Sequence, residues 1–118
     1  MKRNKYNARK IERDGMIFDS RKEMARYYEL KILEKKGLIK DLKRQVKYQL
    51  IPSQKKSDGK CEKPTFYVAD FVYTDLSGRY AHEVVEDVKG YKKGAGYQLF
   101  VIKRKLMLEK YGIEVKEF

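Results

Sequence analysis

A chain of 118 residues with 42% apolar content suits one domain around one modest core. Its 29 Lys and Arg against 17 acids leave a net charge of +12, which points to a polyanionic partner, nucleic acid first. One cysteine, Cys61, and one histidine, His82, exclude an internal disulfide, a Cys-rich zinc site and a histidine cluster, so a metal site must be built from oxygen ligands, a choice that favours magnesium or manganese.

Residues 1–15 are basic, polar and aperiodic, and read either as a flexible tail or as a basic arm that touches DNA or a second subunit. No apolar stretch follows the basic start, so no signal peptide is expected. No run approaches the roughly 18 apolar residues of a spanning helix, so no membrane role is expected and the cytosol is the expected compartment. Residues 16–118 are expected to form a single domain.

Phe18 to Lys36 reads as the first helix, with a capping-box pattern in Ser20-Arg21-Lys22-Glu23. Met24, Tyr27, Tyr28, Leu30 and Ile32 form its broad apolar side, and Gly37 stops it. Leu42 to Ile51 reads as a strand ended by Pro52, and Ser53 to Lys63 as a polar loop. Phe66 to Tyr73 is apolar on both faces and is expected to be a central strand. Thr74 to Gly78 is the turn of a hairpin into Tyr80 to Lys89. A glycine- and lysine-rich loop, Gly90 to Gly96, leads to a second helix from Tyr97 to Tyr111. Its Leu99, Phe100, Leu106 and Met107 are expected to face the core. Ile113 to Phe118 reads as a last strand. The expected fold class is α/β: a mixed four-stranded sheet flanked by helices, in α-β-β-β-α-β order.

Two carboxylates stand out. Asp70 sits in the middle of an apolar strand, where an isolated charge costs several kcal/mol unless it is paired. Asp87 repeats the anomaly in Val84-Val85-Glu86-Asp87-Val88-Lys89. Strand alternation puts Asp87 and Lys89 on one face and Glu86 on the other. If the two strands pair, Asp70 and Asp87 converge, and a divalent cation would relieve their repulsion. Such a site could hydrolyse a phosphodiester, with Lys89 holding water or stabilising the phosphate. An Asp-x-Lys on a strand is common by chance; Asp70 upstream, the basic charge and the glycine loop together give it weight.

Asp70, a hairpin turn and then Asp87-Val88-Lys89-Gly90 resemble the PD-(D/E)xK nuclease superfamily. More narrowly, the chain resembles the phage endonuclease I-type Holliday junction resolvases and related small phage nucleases, over Phe18 to Phe118. The resemblance implies a restriction-endonuclease-like core, a Mg2+- or Mn2+-dependent endodeoxyribonuclease acting on branched or junction DNA, and a phage or prophage gene acting in a bacterial cytoplasm. It assigns Asp70, Asp87 and Glu23 as metal ligands and adds Lys89 to them as the catalytic set. Ala69 stands where the pattern often has proline, and Asp87 where glutamate is commoner. Glu23 also fits a simple capping role.

Lys92, Lys93, Lys103, Arg104 and Gln45 are candidate DNA contacts, with Lys47 a weaker one; solvated basic faces explain them equally well. Two other readings compete: a basic DNA-binding protein without catalysis, and an adaptor for replication or packaging machinery. A homodimer presenting two sites to a four-way junction is the expected assembly, against a monomer that nicks.

Overall fold

The computed structural model describes residues 10–118; residues 1–9, most of the expected basic arm, lie outside the described residues. The first described unit is a hairpin of β1 (Ile11–Arg13) and β2 (Met16–Phe18). Its turn, Asp14-Gly15, has positive φ at both residues, 53° and 77°, the combination that matches strand twist in a two-residue hairpin. Ile11–Arg13 is therefore strand rather than arm, and the expected boundary after Gly15 falls inside this hairpin. Phe18 closes it and is buried against Tyr27 and Tyr28.

Helix α1 (Arg21–Lys35) starts where Ser20 accepts the N–H of Glu23 at 3.0 Å. Glu23 in turn accepts from the N–H of Asp19, a capping-box exchange displaced by one residue. Gly37, at φ 78°, ends the helix: its N–H reaches Glu34 O, and Leu38 N–H reaches Leu33 O. Leu30 is buried with Tyr27 and Leu33 packed beside it, whereas Ile32 is exposed. Two positions from Leu30, Ile32 turns to the far side of the helix.

The remaining elements are β3 (Ile39–Ile51), β4 (Gln54–Lys55), β5 (Cys61–Glu62), β6 (Thr65–Asp75), β7 (His82–Asp87), α2 (Gly94–Tyr111) and β8 (Lys116–Glu117). β3, β6, β7 and β8 form one sheet in that order, antiparallel except for the parallel β7–β8 pair. Apart from the two short hairpins, the order is α-β-β-β-α-β, as the periodicity predicts. The segment expected as a polar loop carries the β4–β5 hairpin instead.

The sheet is covered on both sides. Tyr67, Ala69, Val72 and Val85 pack with Phe100 and Met107 of α2, and Phe71, Tyr73 and Val84 pack with Leu30 of α1. β6 is thus the doubly covered strand that its apolar run predicts. Leu99, expected in the core, is 52% exposed, because its neighbour Phe100 takes the inward position.

Candidate active site

A break in strand alternation builds the site. In the β3–β6 pair, Arg44 lies opposite Phe71 and Val46 opposite Ala69. Phe71 packs on the α1 side, and Arg44 lies 4.2 Å over the Phe18 ring there. Val46 and Ala69, only two residues along, pack on the α2 side. A regular pleat would keep both pairs on one face. The residue between, Gln45, has a left-handed φ of 53°, rare for a side-chain-bearing residue and costly inside a strand. The faces exchange at Gln45 and Asp70.

β7 brings the second carboxylate. Its register on β6 runs from Asp75 opposite His82 to Phe71 opposite Glu86. One position beyond, Asp70 and Asp87 stand as neighbouring carboxylates. There the ladder opens, and the Asp70 carboxylate, rather than the backbone, accepts the N–H of Val88 at 2.8 Å. Asp87 is 4% exposed, and its Oδ2 has no hydrogen-bond partner among the described residues. Lys89 Nζ stands 2.8 Å from that oxygen without hydrogen-bond alignment, and 4.2 Å over the Phe100 ring. Burial, then the adjacent Asp87, pushes the Asp70 carboxyl up to about 7, although the Val88 N–H acts against it. The Tyr67 hydroxyl, buried without an aligned hydrogen-bond partner among the described residues, sits beside the two carboxylates; burial first, then the Asp87 and Asp70 charges and the proximity of the Asp87 oxygen, push it up.

Glu23 approaches from α1. It is 3% exposed, and its Oε1 accepts from Gln45 Nε2 at 3.0 Å, with Arg44 Nη2 at 3.7 Å. The same Gln45 nitrogen lies 3.4 Å from Asp70 Oδ1. Gln45 is therefore an amide bridge between two acids, a place its expected role as a DNA contact does not describe. Burial raises the Glu23 carboxyl above its ordinary value, offset in part by the Asp19 N–H. Because an amide separates Glu23 from Asp70, the three acids are not gathered into a cage: among the described residues, no three His, Cys, Asp or Glu side chains are grouped to hold a metal.

The donor set still suits a hard cation. It is all oxygen, two carboxylates stand side by side, and one buried carboxylate oxygen lacks a hydrogen-bond partner. Asp70 and Asp87 would hold the ion, with Glu23 in reach only after Gln45 yields.

Of the expected cations, Lys103 shares a cleft of about 240 Å³ with Asp87, Lys89, Tyr67 and Phe100. Lys93 precedes α2 and lines an adjoining hollow that shares Lys89 with that cleft and adds Tyr91. Lys92 and Arg104 lie elsewhere, along a groove with Lys116 and Glu117, where Arg104 is 3.2 Å from Glu117. Lys47 is exposed on β3, its Nζ 5.8 Å from the Phe66 ring. Lys22, Arg44 and Tyr67 were not singled out by the sequence. Lys22 Nζ donates to Lys89 O at 2.8 Å, tying α1 to the strand end that carries the lysine.

No helix among the described residues is long and apolar enough to cross a membrane. No curated protein and no solved structure matches the chain. A family model matches residues 3–117, nearly the whole length, and the chain belongs to that family, DUF1064, described as proteins of unknown function.

Proposed function

We propose that this chain is a metal-dependent endodeoxyribonuclease with a PD-(D/E)xK-type site on a restriction-endonuclease-like core, selective for branched or junction DNA. The observation that carries the reading is Asp70 beside Asp87, with a buried Asp87 oxygen that makes no hydrogen bond among the described residues and has Lys89 Nζ 2.8 Å from it. Two acids held together in a chain of net charge +12 work against phosphate binding unless a cation joins them. Asp70 and Asp87 would hold Mg2+ or Mn2+, which when bound neutralises them and polarises the phosphate.

The chain's own groups divide the remaining work. Lys89 can leave Asp87 to donate to a phosphate oxygen as negative charge grows on it. Lys103, across the same cleft, can hold the neighbouring phosphate. Tyr67 and Phe100 wall the cleft from bulk water. Hydrolysis consumes one water: its oxygen bonds to phosphorus, one phosphorus–oxygen ester bond breaks, and a proton equivalent to the one the water loses ends, by way of solvent, on the leaving oxygen. A two-fold dimer would supply the two opposed cuts that resolving a four-way junction requires. A phage-encoded protein acting in a bacterial cytoplasm is the setting that this reading implies.

The test is cleavage of labelled junction, flap, duplex and single-stranded DNA with Mg2+ or Mn2+. Asp70→Asn, Asp87→Asn and Lys89→Ala should each lower the rate by about 100-fold or more while DNA binding in metal-free buffer persists. Wild-type cutting by Asp70→Asn would overturn the catalytic assignment. Binding with no cutting of any substrate by the native chain would leave a non-catalytic DNA-binding protein. Light scattering with and without a junction decides the dimer.

A further inference from the structure

The β4–β5 hairpin adds nothing to the core: every residue from Ile51 to Pro64 is exposed. A two-stranded hairpin by itself is marginal in water, so stability does not explain its presence. It is nevertheless built in line with the sheet. Gln54 opposite Glu62 and Lys55 opposite Cys61 continue the register of Ile51 opposite Thr65. That register sets Pro52 opposite Pro64, the chain's two prolines. Neither can donate a ladder hydrogen bond, so the ribbon is interrupted there and resumes beyond.

The hairpin is basic. Lys55, Lys56, Lys60 and Lys63 are all exposed. Its two acids are engaged within the hairpin: Asp58 accepts the Lys60 N–H at 2.9 Å, and Glu62 lies 3.9 Å from Lys56. The ribbon leading to it has an uncovered face. Beyond the exchange at Gln45, the side that α1 covers farther up carries Lys47 opposite Val68 and Gln49 opposite Phe66. Lys47 and Gln49 are exposed, and Val68 is 37% exposed. This face runs from the Asp70 site toward the lysines. Asp70 and Lys60 are ten positions apart along the chain; at roughly 3.3 Å per extended residue they span at most about 33 Å, within the ~34 Å of one B-DNA turn.

We infer that the Pro52–Pro64 hairpin is a backbone clamp for duplex DNA, holding an arm of the substrate within one helical turn of the Asp70–Asp87 site. The partner is named by charge: a rigid polyanion that presents phosphates both at the acids and at the lysines. The inference rests on the nuclease reading for the identity of the site, but binding tests it separately.

The single cysteine, Cys61, lies on the hairpin and is exposed, so the full-length protein can carry a photo-cross-linker there. In metal-free buffer with labelled duplex, the adduct should form on DNA. The triple variant Lys55→Gln, Lys56→Gln, Lys60→Gln should bind about ten- to a hundredfold more weakly, and its log K against log salt slope should flatten by about 2 to 3. Circular dichroism should be unchanged, since the hairpin is outside the core. Native affinity and slope in the triple variant would overturn the inference. So would adducts between two copies with no DNA adduct, which would assign the hairpin to self-assembly. Cleavage by a triple variant that binds like the native chain would remove the clamp alone; a DNA adduct without any cleavage by the native chain would remove the nuclease reading alone.

Discussion

Glu86 and Asp87 are consecutive, equally buried at 3% and 4% exposure, and face opposite sides of the sheet. Their surroundings differ completely. Glu86 receives two hydrogen bonds from Arg26, at 2.8 and 2.6 Å, and one from the Tyr73 hydroxyl. Arg26 is held in turn by Glu29 at 3.0 Å, and its guanidinium lies 3.8 Å over the Phe118 ring. Asp87 has an oxygen without a hydrogen-bond partner, a second carboxylate as neighbour and a lysine at ion-pair distance. Burial of a charge is therefore not itself a sign of function. A satisfied carboxylate holds α1 to the sheet; an unsatisfied one keeps free the bonding capacity that a ligand needs.

The sharpest way to break this comparison is to remove one partner from each side. Arg26→Ala strands Glu86 as a buried unpaired charge and should cost about 3 to 5 kcal/mol in urea unfolding. Asp87→Asn removes repulsion and should leave the metal-free fold equally or more stable. Equal losses from both variants would erase the distinction.

Next comes pH. The Asp70 carboxyl is raised above its ordinary 3.8 to about 7, so across that window the folded state binds a proton that the unfolded chain releases. Stability of the metal-free protein should fall as pH rises through the window, by at most about 1.4 kcal/mol per pH unit for one proton. Glu23, also raised by burial, acts with the same sign. Asp70→Asn should flatten the profile, whereas Tyr73→Phe, on the satisfied side, should leave its slope unchanged. A native profile that rises between pH 5 and 7 would contradict the account.

The smallest effect is a matched pair of hydroxyls. Tyr73→Phe removes a hydrogen bond to a charged acceptor and should cost about 1.5 to 3 kcal/mol. Tyr67→Phe removes a buried hydroxyl that has no aligned partner among the described residues, and should cost less, under about 1 kcal/mol. Thermal melts of the two variants at one pH compare them directly.

Sequence alone determined the order of the two helices and the four strands of the main sheet, though neither short hairpin, because apolar periodicity and capping residues are local: Ser20 and Gly37 bound α1, and Gly112 at φ 66° ends α2. It also determined that Asp87 and Lys89 share a face while Glu86 takes the other, since two-residue alternation needs no tertiary information. It singled out Asp70 and Asp87 as anomalous and left Glu23 between a cap and a metal ligand; the structure shows the cap, at Asp19, with the other carboxylate oxygen turned to Gln45. Tertiary structure alone decided the rest. The exchange of faces at Gln45 depends on a backbone conformation that glutamine does not announce. The partners of Glu86 lie 13 and 60 residues away, beyond any local pattern. The separation of Lys103 from Arg104, adjacent in the chain yet lining different hollows, follows from a turn of about 100° per residue on a helix packed against the sheet. Local rules place a side chain on its own element; only packing decides which charges meet, and which one is left without a partner.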